Sequence, residues 1–78
     1  MARLANFSGQ EVARLLEKRF GFFFVSQKGS HIKLRRIASQ GSITVIVPAH
    51  PELASGTLRG VLKQAQVDTV DFLSAFGR

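Results

Sequence analysis

The sequence predicts an α+β domain in the order α-β-β-β-α, with a three-stranded antiparallel sheet, helices packed on one face and a short C-terminal helix. Three observations predict this class. A capped amphipathic segment comes first, three short apolar or alternating segments follow, and amphipathic segments end the chain. The turns between the middle segments are too short for crossovers, so neighbouring strands are antiparallel. The 78 residues suit one modest core, and we expect a single domain over residues 1–78.

The first helix begins at a capping box. Residues 8–11 read SGQE, in which Ser8 accepts a hydrogen bond from a free amide and the Glu11 carboxylate bonds back to the backbone of Ser8. Apolar residues then recur at helical spacing along one face, at Val12, Leu15, Leu16 and Phe20. Gly21 follows them, and we expect it to end the helix in the left-handed conformation that favours glycine.

Three strands are expected in the middle of the chain, over residues 22–27, 31–37 and 43–47. The turns at residues 28–30 and 38–42 each contain a glycine. Pro48 cannot donate to a ladder of backbone hydrogen bonds, so we expect the sheet to end there. Arg36 interrupts the alternation of the second strand, and we expect it at a strand end or a bulge.

Two further helices are expected after the sheet. Thr57 is the expected N-cap of the first, whose apolar positions are Leu58, Val61, Leu62 and Ala65. Asp68 is the expected cap of a short final helix that carries Val70, Phe72, Leu73 and Phe76. Some of the aromatic residues 22–24 must alternate onto the open face of the sheet, and we expect the C-terminal segment to pack on them.

Composition limits the classes of function. Eleven Lys and Arg against five Asp and Glu give a net charge of +6, which favours a nucleic acid or an acidic protein as partner, unless the basic surface serves solubility alone. The absence of cysteine excludes disulfides, thiolate nucleophiles and cysteine-based zinc sites. The apolar stretch at residues 20–25 is far shorter than the roughly 20 residues of a membrane span. Residues 1–6 contain no signal-peptide core, so we expect a cytoplasmic protein.

The alternation of apolar and polar residues along the second strand places the residues of a candidate site on one face. Ile32 and Leu34 must point toward the helices, so His31, Lys33 and Arg35 point together toward solvent. Lys28 lies in the adjoining turn. This group suits RNA cleavage. RNA carries its own nucleophile, the 2′-OH, so an enzyme that cleaves it needs neither a metal ion nor a cofactor. Histidine can act as the base, and the cations can stabilise the developing oxyanions.

Other interpretations of these residues stay open or are weaker. An exposed strand histidine can have no chemical role at all. A metal site is disfavoured, because His31 and His50 lie far apart in the chain with no acidic cluster between them. Ser30 and His31 do not form part of a triad, because adjacent strand residues point to opposite faces. Residues 56–60, GTLRG, lack the length and the lysine of a phosphate-binding P-loop.

The chain resembles the HicA toxins in four segments that occur in the order and spacing of that family. They are Gly21-Phe22, QKGSH at residues 27–31, VPAH at residues 47–50 and GTLRGVLKQA at residues 56–65. The resemblance implies a fold like that of double-stranded-RNA-binding domains and the activity of an mRNA interferase, the toxin of a type II toxin–antitoxin system. It also implies a HicB-like antitoxin that covers the active site. Binding to operator DNA is expected only from the complex with the antitoxin.

The resemblance implies site residues as well. It places the catalytic role on His31. Beside it, the strand and turn pattern leads us to expect that Gly29 and Ser30 shape the hairpin and that Lys28, Lys33 and Arg35 bind phosphate. His50 is interpreted as a structural loop residue near a helix start. The chain departs from the family at Ser26, where a basic residue is frequent, and at Gln66, where glycine is common.

Two alternatives to a ribonuclease remain at this point. The first is a module that binds double-stranded RNA without cleaving it, for which the second long helix offers only Arg59 and Lys63. The second is a protein-interaction domain whose basic face meets an acidic partner.

Overall fold

A computed structural model describes residues 4–77, which form three helices and a three-stranded antiparallel sheet in the strand order β1-β2-β3. The elements are α1 (Gly9–Arg19), β1 (Phe23–Lys28), β2 (His31–Ala38), β3 (Gly41–Pro48), α2 (Ser55–Ala65) and α3 (Thr69–Phe76). The predicted α+β class and element order are confirmed. Within these residues, the helices are too short or too polar to cross a membrane. Residues 1–3, part of the stretch considered for targeting, lie outside the described residues.

Local signals determine the two ends of α1. The backbone N–H of Glu11 donates to Ser8 Oγ at 3.0 Å, and the N–H of Ser8 donates to Glu11 Oε1 at 2.9 Å, so the predicted capping box is confirmed. Gly21 has φ +77°, the left-handed conformation expected after the helix. The N–H of Phe22 then donates to the carbonyl of Leu16 at 3.2 Å, which turns the chain toward β1.

The sheet is regular on one side and bulged on the other. β2 and β3 pair without interruption, from His31 opposite Pro48 to Ala38 opposite Gly41. Arg36 lies inside this regular pairing, opposite Ile43, so the expectation of a strand end or bulge there is wrong. The irregularity is in β1, where the register shifts between Phe24 and Ser26. Although Arg36 interrupts the apolar alternation, it keeps the regular register, and its side chain packs over an aromatic ring, as described below.

The core lies between one face of the sheet and the helices. Leu34 and Val47 on the sheet are fully buried, as are Leu16 of α1 and Leu58 of α2. Burial of one such side chain contributes about 1.5–3 kcal/mol to folding. Because α1 and α2 join the same apolar cluster with the inward residues of β2 and β3, the opposite face of the sheet remains open.

The start of α2 differs from the prediction. The helix begins at Ser55 after Ala54, which provides no side-chain cap, so the expectation that Thr57 is the N-cap is wrong. The reason is a buried anchor just upstream. Leu53 is 2% exposed and its N–H donates to the carbonyl of Phe7 at 2.8 Å, which fixes the chain where the helix starts. Asp68 is the N-cap of α3 as predicted, although its side chain makes no capping hydrogen bond.

The C-terminal helix covers an N-terminal aromatic residue. Phe72 and Phe76 meet the ring of Phe7 edge-on, at centroid distances of 5.3 and 4.6 Å. Phe23 and Phe24 therefore remain 45% and 52% exposed, and the expectation that the tail packs on residues 22–24 is wrong. Phe22 needs no such cover, because it faces the core. Val70, expected with the apolar positions of this helix, is 72% exposed.

The N-terminus of α1 makes very close contact with the chain after β3. The N–H of Gly9 donates to the carbonyl of His50 at 2.9 Å. A Cβ on Gly9 would collide with the carbonyl oxygen of Pro48 and would lie 2.7 Å from its carbonyl carbon and 2.9 Å from Cα of Ala49. All three neighbours are backbone atoms, which cannot rotate away. Only glycine therefore fits at this position.

Gly9→Ala is expected to destabilise the fold by about 1–3 kcal/mol or more, because a methyl group is forced against backbone atoms. The matched control is Gly60→Ala in α2, where nothing lies within 4 Å of the added Cβ. That change is expected to stabilise the protein by about 0.5–1 kcal/mol, the usual helix-interior difference. Urea denaturation of both variants measures the two effects. Equal stability of the Gly9→Ala and wild-type proteins would contradict the close contact.

Candidate nucleic-acid interface

The open face of the sheet carries the residues that alternation predicted for it. Ile32 and Leu34 are buried at 3% and 0% exposure, whereas His31 is exposed and Lys33 and Arg35 are partly exposed. Lys28 pairs directly with His31 across the hairpin and is exposed as well. We call His31, Lys33, Arg35 and Lys28 the basic stripe.

A two-residue turn presents the histidine. Lys28 and His31 are paired, so Gly29 and Ser30 are the two central residues of the hairpin turn. Gly29 has φ +55°, and glycine at the first central position is typical of a type II′ turn, whose twist matches that of the strands. The side-chain amide of Gln27 donates to the carbonyl of Gly29 at 3.0 Å. Gly29 and Ser30 therefore form the turn that presents His31.

A second strand end holds the turn from the other side. The N–H of Ala49 donates to the carbonyl of Ser30 at 2.6 Å, which extends the β2–β3 pairing one residue beyond Pro48. His50 follows directly, with an exposed side chain, and its carbonyl accepts the hydrogen bond from Gly9. His50 therefore lies in a loop beside a helix start, and the backbone makes the bond to that helix.

The electrostatics of the open face are one-sided. The three strands contain Lys28, Lys33, Arg35 and Arg36 but no Asp or Glu. The neighbours of the stripe are neutral: Ser26 is opposite Lys33, and Thr44 is opposite Arg35 and accepts a hydrogen bond from its Nε at 3.2 Å. With no carboxylate on these strands to pair with the stripe, its charge is available to an anion such as a phosphate.

Arg36 does not belong to the basic stripe. It pairs with Ile43 and lies on the helix side of the sheet, with its guanidinium carbon 5.4 Å from the ring centroid of Phe22. Its Nε is buried and has no hydrogen-bond partner among the described residues. In this position the aliphatic part of the Arg36 side chain covers the Phe22 ring, and the guanidinium adds some cation–π attraction. We therefore assign Arg36 a structural role.

Apolar side chains border the stripe, and two of its neighbours were missed from the sequence. Phe23 is opposite Arg35, Ile46 is opposite Lys33, and Ile37 at the far end of β2 is 70% exposed. Ile46 and Thr44 could not be assigned to the site from spacing alone. The signal that identifies them is the β2–β3 register, which depends on the tight turn between Ala38 and Gly41.

The charged and polar side chains show no arrangement for a metal ion. Among residues 4–77, no three His, Asp or Glu side chains lie close enough together to hold one. The chemistry that this face offers is a single imidazole flanked by ammonium and guanidinium groups. That combination can transfer a proton and stabilise negative charge on a phosphodiester.

Comparison with known proteins identifies one family. The family model described as HicA toxin of bacterial toxin–antitoxin matches residues 9–67 of the 78-residue chain. The matched range contains the whole basic stripe, the turn that presents His31, and His50. No curated protein and no solved structure matches the chain.

Arg36→Met is expected to leave the free energy of unfolding equal to that of the wild type or higher. Methionine keeps an apolar stem on Phe22 and removes a buried unpaired nitrogen, whose desolvation typically costs about 1–3 kcal/mol. Arg36→Ala also deletes the stem and is expected to lower stability by about 1 kcal/mol or more. Thermal and urea unfolding of the pair provide the measurement. A methionine variant as unstable as the alanine variant would mean that the charge, and not the stem, is required.

Proposed function

The chain belongs to the HicA toxin family of bacterial toxin–antitoxin systems, and we propose that it is an endoribonuclease that cleaves mRNA without a metal ion, using His31 as its acid–base residue. One observation carries the proposal. His31 shares an open sheet face with three cations and with no acidic side chain on any of the three strands. Family membership also implies a cognate antitoxin.

The proposed reaction uses the nucleophile that RNA supplies. Neutral His31 removes the proton of the 2′-OH, the 2′-oxygen bonds to phosphorus, and the bond from phosphorus to the 5′-oxygen breaks. Negative charge grows on the non-bridging oxygens during this step. Lys28, Lys33 and Arg35 stabilise it. The products carry a 2′,3′-cyclic phosphate and a 5′-OH, and DNA is spared because it lacks the 2′-OH.

The open face suits an extended RNA strand. Three members of the stripe, His31, Lys33 and Arg35, follow one another along β2 at about 3.4 Å per residue, so they span about 14 Å, roughly two nucleotide steps of an extended strand. Phe23 stands opposite Arg35 with 45% of its surface exposed. A base stacked on such a ring gains about 1–3 kcal/mol. The basic stripe would then bind the RNA backbone, and Phe23 would stack on a neighbouring base.

We infer that the antitoxin is HicB-like and covers this face. The face combines uncompensated positive charge with exposed Phe23 and Ile37, which suits a partner surface that is acidic and partly apolar. Coverage of His31 would neutralise the toxin by excluding RNA. Operator DNA would be bound by the complex and not by the toxin alone.

His31→Ala is expected to lower the rate of RNA cleavage by about 10²- to 10⁴-fold, the usual effect of losing an acid–base group. Purified protein is incubated with labelled RNA in EDTA, and the product ends are identified. Gln64→Ala, at an exposed position of α2, is the control and should cleave normally. A single 2′-deoxynucleotide at the cleavage site should block that site. Full EDTA inhibition, or cleavage by His31→Ala at the wild-type rate, would refute the mechanism.

Lys33→Ala is expected to weaken RNA binding and to reduce the dependence of log Kd on log salt by about 0.7, the value for one phosphate contact in a single strand. The ligand is 2′-O-methyl RNA, which cannot be cleaved because its 2′-oxygen is blocked. Lys63→Ala is the matched control, because Lys63 is exposed on α2 and away from the open face. A loss confined to Lys63→Ala would instead favour a helix-based module that binds double-stranded RNA.

A further inference from the structure

The proposed reaction leaves one proton unassigned. His31 takes the proton of the 2′-OH, but the departing 5′-oxygen must also gain one, and the basic stripe contains no second imidazole. We propose that His50 is the general acid that protonates this oxygen. This inference rests on the proposed ribonuclease function and adds a second catalytic residue to it.

The strand register places position 50 close to His31. His31 is opposite Pro48, and the 2.6 Å bond from Ala49 N–H to the Ser30 carbonyl continues the pairing beyond the strand end. Position 50 is therefore the diagonal neighbour of His31, two residues past its direct partner. Diagonal neighbours on one face of a sheet lie about 7–8 Å apart, within reach of aromatic and other long side chains.

Alternation indicates which way the side chain of His50 projects. Pro48 shares the open face with His31, whereas Ala49 is half-buried and packs against the core. Position 50 returns to the open side if the backbone stays extended, and Pro51 favours that conformation in the residue before it. The exposed side chain of His50 agrees with this direction. The bond from Gly9 engages only its carbonyl, so the imidazole is not used by the helix.

Two imidazoles at this separation can flank a phosphodiester. Neutral His31 accepts the proton of the 2′-OH, and the imidazolium of His50 donates its proton to the 5′-oxygen as the bond to phosphorus breaks. One proton is taken and one is given, and no oxidant or other reactant is consumed. Exchange with water then resets both rings. The titratable groups on the elements next to His50 are Lys28 and His31 of the hairpin, Glu52 two residues along the chain and Glu11 in the first turn of α1, whose Gly9 bonds to the His50 carbonyl.

A substrate that needs no acid tests this role. In RNA with sulfur in place of the 5′-bridging oxygen, the leaving thiolate departs without a proton. His50→Ala is expected to cleave ordinary RNA about 10²- to 10⁴-fold more slowly than the wild type. On the sulfur substrate it should cleave near the wild-type rate, whereas His31→Ala stays impaired on both. Glu52→Gln, an exposed change in the same loop, is the matched control and should behave as the wild type.

The outcomes separate this inference from the proposed function. If His50→Ala cleaves ordinary RNA as fast as the wild type, the assignment of His50 fails and the ribonuclease stands. If His50→Ala is equally impaired on both substrates, His50 has a structural part and the assignment is again overturned. If the wild type cleaves neither substrate, the proposed function fails and the assignment falls with it. The assignment of His50 is supported if His50→Ala unfolds at the wild-type temperature, cleaves ordinary RNA slowly and cleaves the sulfur substrate near the wild-type rate.

Discussion

The close contact between Gly9 and the end of β3 is the constraint on which the site depends. The N-terminus of α1 lies against the backbone of Pro48 and Ala49 and donates a hydrogen bond to the carbonyl of His50. In the same segment, the N–H of Ala49 donates to the carbonyl of Ser30, in the turn that presents His31. One run of backbone therefore links the first helix, the last strand and the hairpin. A shift of the first helix by the width of a methyl group would also move the end of the last strand and the hairpin. It would therefore change the separation of His31 and His50.

The second strand divides stability and binding between its two faces. Ile32 and Leu34 supply buried apolar surface, while their neighbours supply the basic stripe. Adjacent arginines illustrate the division, because Arg35 faces the open side and Arg36 covers Phe22 on the helix side. Concentrating like charges on one face costs stability through repulsion, but solvent and salt screen charges that remain exposed. A polyanion or an acidic partner would remove that cost on binding.

Local patterns in the sequence predicted the parts of the molecule that local forces determine. The capping box, the left-handed Gly21 and the faces of β2 follow from residues within a few positions of one another. The mistaken expectations involve distant partners. Thr57 is not a cap because Leu53 is anchored to Phe7, and the tail leaves Phe23 and Phe24 exposed because Phe72 and Phe76 meet Phe7 instead. The neighbourhood of His31 and position 50 likewise needs the strand register, which spacing along the chain does not provide.

Exposure of His31 on a flat face constrains how the proposed catalysis can work. A closed pocket strengthens electrostatic stabilisation by excluding water, whereas charges on an open sheet act in a medium of high dielectric constant. Most of the acceleration must then come from proton transfer and from holding the strand in line. Rigid presentation matters more under these conditions, which is consistent with a turn held by hydrogen bonds from Gln27 and Ala49. The same openness leaves the exposed His31 within reach of a protein that covers the sheet, as proposed for the antitoxin.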